Sequence, residues 1–241
     1  MTIGVEMNKK ILVAALLAAS VTGAYAQSKF EGFYGQVGIG YSTINPSVSN
    51  STLTPPAGNT PSSYGMGASV SAANSFNGAL GAGYTWSLAP QFTLGLGVDY
   101  QPFAGQSANV TLSNASLSPA SQTVSYKQNS AYDIYLAPGF AVTPESMIYG
   151  KFGFAGTQIK TTTSNGSSGT TNYNGFLVGL GYKQIISGGL YGFAEANYTS
   201  FGGQTQTASG PWTSGTTGTY NLNTNTSANA FNAMVGLGYK F

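Results

Sequence analysis

The 241-residue chain contains no cysteine, no histidine and no arginine. Without cysteine there is no disulfide framework and no thiol nucleophile. Without histidine there is no His-ligated zinc or haem and no Ser-His-Asp triad. Without arginine the bidentate readers of phosphates and guanine edges are missing. Charge of either sign is scarce: 6 % of residues are ionised, against about a quarter in an ordinary soluble domain. The eight lysines exceed the six acids by only +2, too little to drive polyanion binding, so nucleic acid is not an expected partner. Small and uncharged residues fill the deficit, with 34 glycines, and 16 tyrosines and 13 phenylalanines stand among them.

The N-terminus carries a targeting pattern. Met7-Asn8-Lys9-Lys10 forms a short positive region, Ile11 to Ala19 an apolar run, and Ala24-Tyr25-Ala26 a small-x-small cleavage site. This layout is that of a secretory signal peptide, and the run is too short for a membrane helix, which needs about 20 residues. Residues 1–26 are therefore expected to be removed, with Met7 as the start, leaving a single unit over 27–241. No cysteine follows the site, so a lipoprotein anchor is not expected.

Beyond it one alternating pattern recurs, as in Val37-Gly38-Ile39-Gly40-Tyr41, Leu94-Gly95-Leu96-Gly97-Val98, Val178-Gly179-Leu180-Gly181-Tyr182 and Val235-Gly236-Leu237-Gly238-Tyr239. A period of 2 is a strand signal. It predicts eight strands near 32–43, 75–88, 91–103, 130–142, 147–159, 174–186, 190–201 and 229–241. Tight turns at Leu88–Gln91, Thr143–Ser146 and Ser187–Gly189 alternate with long polar stretches at 44–74, 104–129, 160–173 and 202–228. Short turns at one end and long loops at the other mark an antiparallel up-and-down transmembrane barrel.

One face of each strand is bulky and uncharged, as in Phe92, Leu94, Leu96, Val98 and Tyr100. The opposite face is mostly glycine and small polar residues, and it holds Asp99, Asp133, Lys151, Lys183, Glu195 and Lys240. Glycine makes a poor solvent surface but suits the crowded interior of an eight-stranded barrel. The bulky face is therefore expected to meet lipid. Its aromatic residues recur eight to ten positions apart, or about 20–25 Å vertically on strands tilted by ~40°. They predict an outer girdle of Tyr41, Phe76, Tyr100, Tyr132, Phe176, Tyr198 and Phe231, and an inner one of Phe33, Trp86, Phe92, Phe140, Tyr182 and Phe241. Tyr191 and Phe193 break the rule, falling on the inward parity.

The signal peptide, the alternating strands, the segments 132–141 and 148–155 and the ending Val235-Gly236-Leu237-Gly238-Tyr239-Lys240-Phe241 resemble the small eight-stranded outer-membrane barrels. These include the outer-membrane-protein-A transmembrane domain and the opacity-type surface proteins, often labelled porin family. The resemblance implies outer-membrane localisation, contact with lipid and lipopolysaccharide, and a monomer. It also implies an assembly signal at Val235, Leu237, Tyr239 and Phe241, read by the barrel-insertion machinery. A peptidoglycan-binding domain after the last strand, present in some relatives, is not expected.

The six inward charges sum to zero, and each is costly if unpaired away from water. Two arrangements follow: a salt-bridged plug, which this cost favours, or a narrow water-filled path. Lys151 and Glu195, at similar distances from their turns, are expected to meet across the lumen. Asp99 and Asp133 fall near the outer mouth, where paired carboxylates could do acid/base work or hold a cation; satisfaction by lysines or water is the simpler reading. No cofactor, metal or catalytic group is expected, and the glycines form no phosphate loop. The long polar stretches read as mobile, neutral surface loops. The expected role is thus structural or adhesin-like, with host or environmental surface ligands, and the alternative is passive diffusion of small solutes.

Overall fold

The computed structural model describes residues 28–103, 107–117, 121–163, 166 and 168–241, so the targeting segment lies outside the described residues. Ten strands run through it: β1 (Gly32–Thr54), β2 (Tyr64–Val70), β3 (Ala73–Ser87), β4 (Phe92–Phe103), β5 (Ser107–Ser113), β6 (Ser121–Thr143), β7 (Ser146–Thr163), β8 (Ser168–Ser187), β9 (Leu190–Trp212) and β10 (Gly218–Lys240). Eight of them, β1, β3, β4, β6, β7, β8, β9 and β10, pair antiparallel in ring order, and β10 closes on β1 through pairs such as Val37↔Leu237. Closure leaves no sheet edge, which is what allows strands to cross a bilayer. The tight turns join β3 to β4, β6 to β7 and β8 to β9, and Gly188 takes a positive φ of 56° at the last of them.

The lipid-side parity holds around the ring. Phe33, Ile39, Phe76, Phe154, Phe176 and Leu180 are all more than half exposed, while the alternate residues Tyr34, Gln36, Asn77, Lys151 and Glu195 are buried inside. Neighbouring aromatics on the outer face touch edge to face, Tyr41 on Phe76 at 5.4 Å and Phe92 on Phe140 at 5.2 Å. Trp86 and Phe140 are half-covered by such partners.

The long polar stretches differ from the expectation of mobile loops. β1 runs to Thr54, β6 begins at Ser121, and β9 and β10 remain paired out to Trp212↔Gly218. From Tyr198 to Trp212 the wall rises about 35 Å beyond the outer aromatic level. β2 and β5 continue β3 and β4 upward: β2 pairs with β1 and β5, and β5 pairs with β6. Hydropathy did not mark these strands because neither of their faces meets lipid. Serine, threonine and asparagine then satisfy both sides, and the ladder hydrogen bonds carry the pairing instead.

Candidate functional site: the plugged lumen

The lumen is narrow, and glycines decide what fits in it. A Cβ on Gly97 would lie 2.5 Å from the Tyr34 hydroxyl and 2.6 Å from Tyr135. Gly181 leaves room for Tyr149, and Gly238 for Tyr191. Four tyrosines thus enter the interior opposite glycines, each with its ring buried. The inward charges stand in this aromatic frame.

Lys151 of β7 is completely buried. Its ammonium lies 2.6 Å from Asp99 Oδ2 of β4 and 3.1 Å from Glu195 Oε2 of β9, with the Tyr135 ring 3.8 Å beneath it. The Tyr149 hydroxyl donates to Glu195 Oε1, and Asn197 Nδ2 donates to Oε2 at 3.2 Å. Asp99 Oδ1 accepts from Tyr135 at 3.3 Å and from Gln36 Nε2 at 3.4 Å, while Tyr191 donates to Gln36 Oε1 at 3.1 Å. The Tyr34 and Tyr135 hydroxyls meet at 3.2 Å. One cation between two carboxylates, with hydrogen bonds on the remaining lone pairs, is the geometry that makes a buried ion group tolerable.

The structure does not bring all six inward charges together. Lys183 is buried but stacks its ammonium over Tyr34 at 4.1 Å, Tyr191 at 5.0 Å and Tyr149 at 5.1 Å, a cation–π seat with no ion pair among the described residues. Lys240 lies apart at the periplasmic end, half-exposed beside Lys29 and Gly189. Its position at the end of β10 puts it beyond the plug. Asp133 lies directly opposite Asp99 in the β4–β6 ladder, and among the described residues it makes no ion pair. The mouth expected just beyond these two carboxylates is absent, because the wall continues upward.

Parity had put Tyr191 and Phe193 inside; the roles of Tyr34, Tyr135 and Tyr149 went unread, although the same inward parity was available for them. Between the plug and the upper lumen, Asn77, Asn197 and Asn232 bury amide atoms that lack a hydrogen-bond partner among the described residues. Such a layer calls for water or another polar guest. Higher up, burial raises the Tyr126 hydroxyl to about 12, helped by neighbouring Tyr173, so this part of the lumen stays uncharged across the physiological range.

Residues 11–241 match the family described as outer membrane protein beta-barrel domain. The chain belongs to that family. Its members' place is the outer membrane, and the closed ring with an apolar outer face agrees with it. No curated protein matches the sequence. Among solved structures the barrel is similar to the outer membrane protein OprG from Pseudomonas aeruginosa, at 15 % identity and a TM-score of 0.52 over 88 % of this chain and 96 % of that one. Neisserial surface protein A, at 13 % identity and a TM-score of 0.39, covers 87 % of this chain and 97 % of its own. The attachment invasion locus protein Ail of Yersinia pestis, solved in complex with a heparin analogue, matches at 11 % and 0.36 over 83 % and 99 %. At these identities the likeness is one of fold.

Proposed function

We propose that this outer-membrane barrel is a plugged, non-catalytic surface protein whose tall neutral wall contacts uncharged partners outside the cell. The observation that carries this reading is the closed centre of the lumen: Lys151, wholly buried between Asp99 and Glu195 inside a frame of four tyrosines. A path for hydrated ions would need that network to part, leaving buried charges without partners. This weighs against the alternative, a narrow diffusion channel.

The rim supports the contact role. Tyr64 and Trp212 pack at 5.9 Å near the top of the wall, Asn59 ties Pro56 to Thr216 through bonds of 2.9 and 2.8 Å, and Tyr220 stands nearby on β10. Ordered aromatic and amide groups without charge suit glycans or neutral protein surfaces rather than polyanions. The residues expected as girdles would seat the barrel in lipid and lipopolysaccharide. The final strand, through Val235, Leu237, Tyr239 and Phe241, would be its address for the insertion machinery.

Planar-bilayer recording of the refolded chain tests this: no unit conductance is expected, and steady single-channel steps would overturn the plugged reading. Cells displaying Trp212→Ala with Tyr64→Ala should lose surface attachment while the barrel still folds. Undiminished attachment would overturn the role given to the rim.

A further inference from the structure

Above the outer girdle the wall carries charge at one place. Lys127 of β6 and Lys160 of β7 are register partners and both are exposed, so two ammonium groups stand side by side on the outward face. Like charges directly opposite in a ladder repel, and no acid is at hand to relieve them. Of the six acids in the sequence, Glu6 and Glu31 precede β1, Glu145 lies in the turn between β6 and β7, and Asp99, Asp133 and Glu195 are buried in the lumen. The pair therefore presents both charges to whatever surrounds the wall.

Below the lysines the same panel forms a hollow. Ser130 and Tyr132 of β6, Gln158 of β7 and Asn172 and Asn174 of β8 line a space of ≈310 Å³, the size of a small-ligand cleft. Ladder pairs arrange them in two rows, Ser130↔Gln158↔Asn172 and Tyr132↔Gly156↔Asn174. Gly156, lacking a side chain, leaves the Tyr132 ring room to lie against β7. An aromatic floor with an amide rim suits a sugar, whose C–H face stacks on the ring while its hydroxyls bond the amides. One row further down, Ile134, Phe154 and Phe176 are paired across the three strands, each more than half exposed, and the two phenylalanine rings touch at 4.9 Å.

From the bilayer outward the panel thus runs from apolar, through aromatic and amide, to cationic. Lys160 lies four residues beyond Gly156, about 10 Å higher on a strand tilted by ~40°. One kind of amphiphile has its parts in this order: acyl chains, then a sugar ring, then an anionic group. A glycerophospholipid would leave the amide rows without a partner.

We propose that this panel of β6, β7 and β8 binds one molecule of an outer-leaflet glycolipid, with an acidic sugar in the hollow and its phosphate or carboxylate between Lys127 and Lys160. The site rests on the reading that the girdles seat the barrel in lipid and lipopolysaccharide, and it adds where the headgroup is held.

Native mass spectrometry of the refolded full chain tests it, with deep-rough lipopolysaccharide, lipid A and its first acidic sugars, as the probe. One retained molecule per barrel is expected. Lys127→Gln with Lys160→Gln, and separately Asn174→Phe, which fills the hollow, should each weaken retention by roughly tenfold or more. These residues point outward, and heat-modifiable electrophoresis checks that the variants fold. Lys29→Gln with Lys240→Gln removes the same charge at the periplasmic end and should change nothing. Phosphatidylglycerol, which has acyl chains and charge but no sugar, should not compete. Free glucosamine 1-phosphate, which has no acyl chains, should not compete at the same concentration. Full retention in either folded variant of the site, equal loss in the periplasmic variant, or equal competition by either compound would overturn the site. The underlying reading fails differently: a chain that does not insert into phosphatidylcholine vesicles has no lipid belt, whereas one that inserts but retains no glycolipid loses only this site.

Discussion

Lys151 and Asp99 meet 2.6 Å apart at the centre of the barrel, on strands separated in the ring by β6. The contact joins next-but-one strands of the wall, and Glu195 on β9 completes it from the other side of β7. Removing the lysine would leave two buried carboxylates facing each other. Lys151→Met is therefore expected to destabilise the barrel by about 3–5 kcal/mol, while Lys160→Ala, on the exposed outer wall, should leave it unchanged. Urea unfolding of the refolded protein in lipid vesicles, followed by tryptophan fluorescence, measures both. Equal shifts would show that the network does not hold the fold.

Asp99 and Asp133 are register partners with different surroundings: Asp99 has the lysine, and Asp133 adds a like charge beside it. Asp133→Asn should leave stability unchanged or raise it, whereas Asp99→Asn should lower it by about 2–4 kcal/mol. The same unfolding assay ranks the two variants, and a reversed order would contradict the pairing.

The Tyr34–Tyr135 hydroxyl contact spans the lumen beneath Gly97. Replacing both rings by alanine should open a water path that the wild type lacks, visible as unit conductance in planar bilayers. Silence of a folded Tyr34→Ala, Tyr135→Ala variant would mean that the ion network alone seals the barrel.

Gly97 has its own test, because any side chain there collides with those two tyrosines. Gly97→Val should cost roughly 1–3 kcal/mol through overpacking. Tyr135→Ala in the same chain should recover part of this loss, so the two substitutions are non-additive. Strict additivity in a double-mutant cycle would place the cost elsewhere.

Phe241 is half of an aromatic pair with Tyr239 on the outer face, at 5.3 Å. If the last strand is an assembly address, Phe241→Ala should lower the amount of protein in the outer membrane several-fold in cells. Refolding into detergent should be unaffected. A matching defect in both settings would make the residue a packing element instead.

The eight strands of the membrane ring, their inside and outside, and the tight turns were legible from alternation alone. Between lipid and a crowded lumen the two faces of a strand need opposite chemistry, and a period of 2 records it. The same rule placed Tyr191 and Phe193 inside, although their bulk argued against it. Above the membrane the rule lost its basis. Residues such as Thr205, Thr207, Asn223 and Asn225 hydrogen-bond one another across β9 and β10, yet in sequence they read as loop.

The amino-acid order by itself determined that the chain is a closed barrel with greasy outer walls and ionised groups toward the axis, because that division is written residue by residue along each strand. The meeting of Lys151 with Glu195 followed from their distances to the turns, and only the tertiary structure decided where the other charges go. Lys151 reaches Asp99 and Glu195, Lys183 rests on tyrosine rings, and Lys240 stays at the rim, since these outcomes depend on the relative heights of non-adjacent strands. The break in pairing between Ile44↔Ala73 and Ser51↔Met66 was decided there too. It exists because the segment opposite β1 is drawn to β5, a competition between partners far apart in the chain that no local pattern encodes.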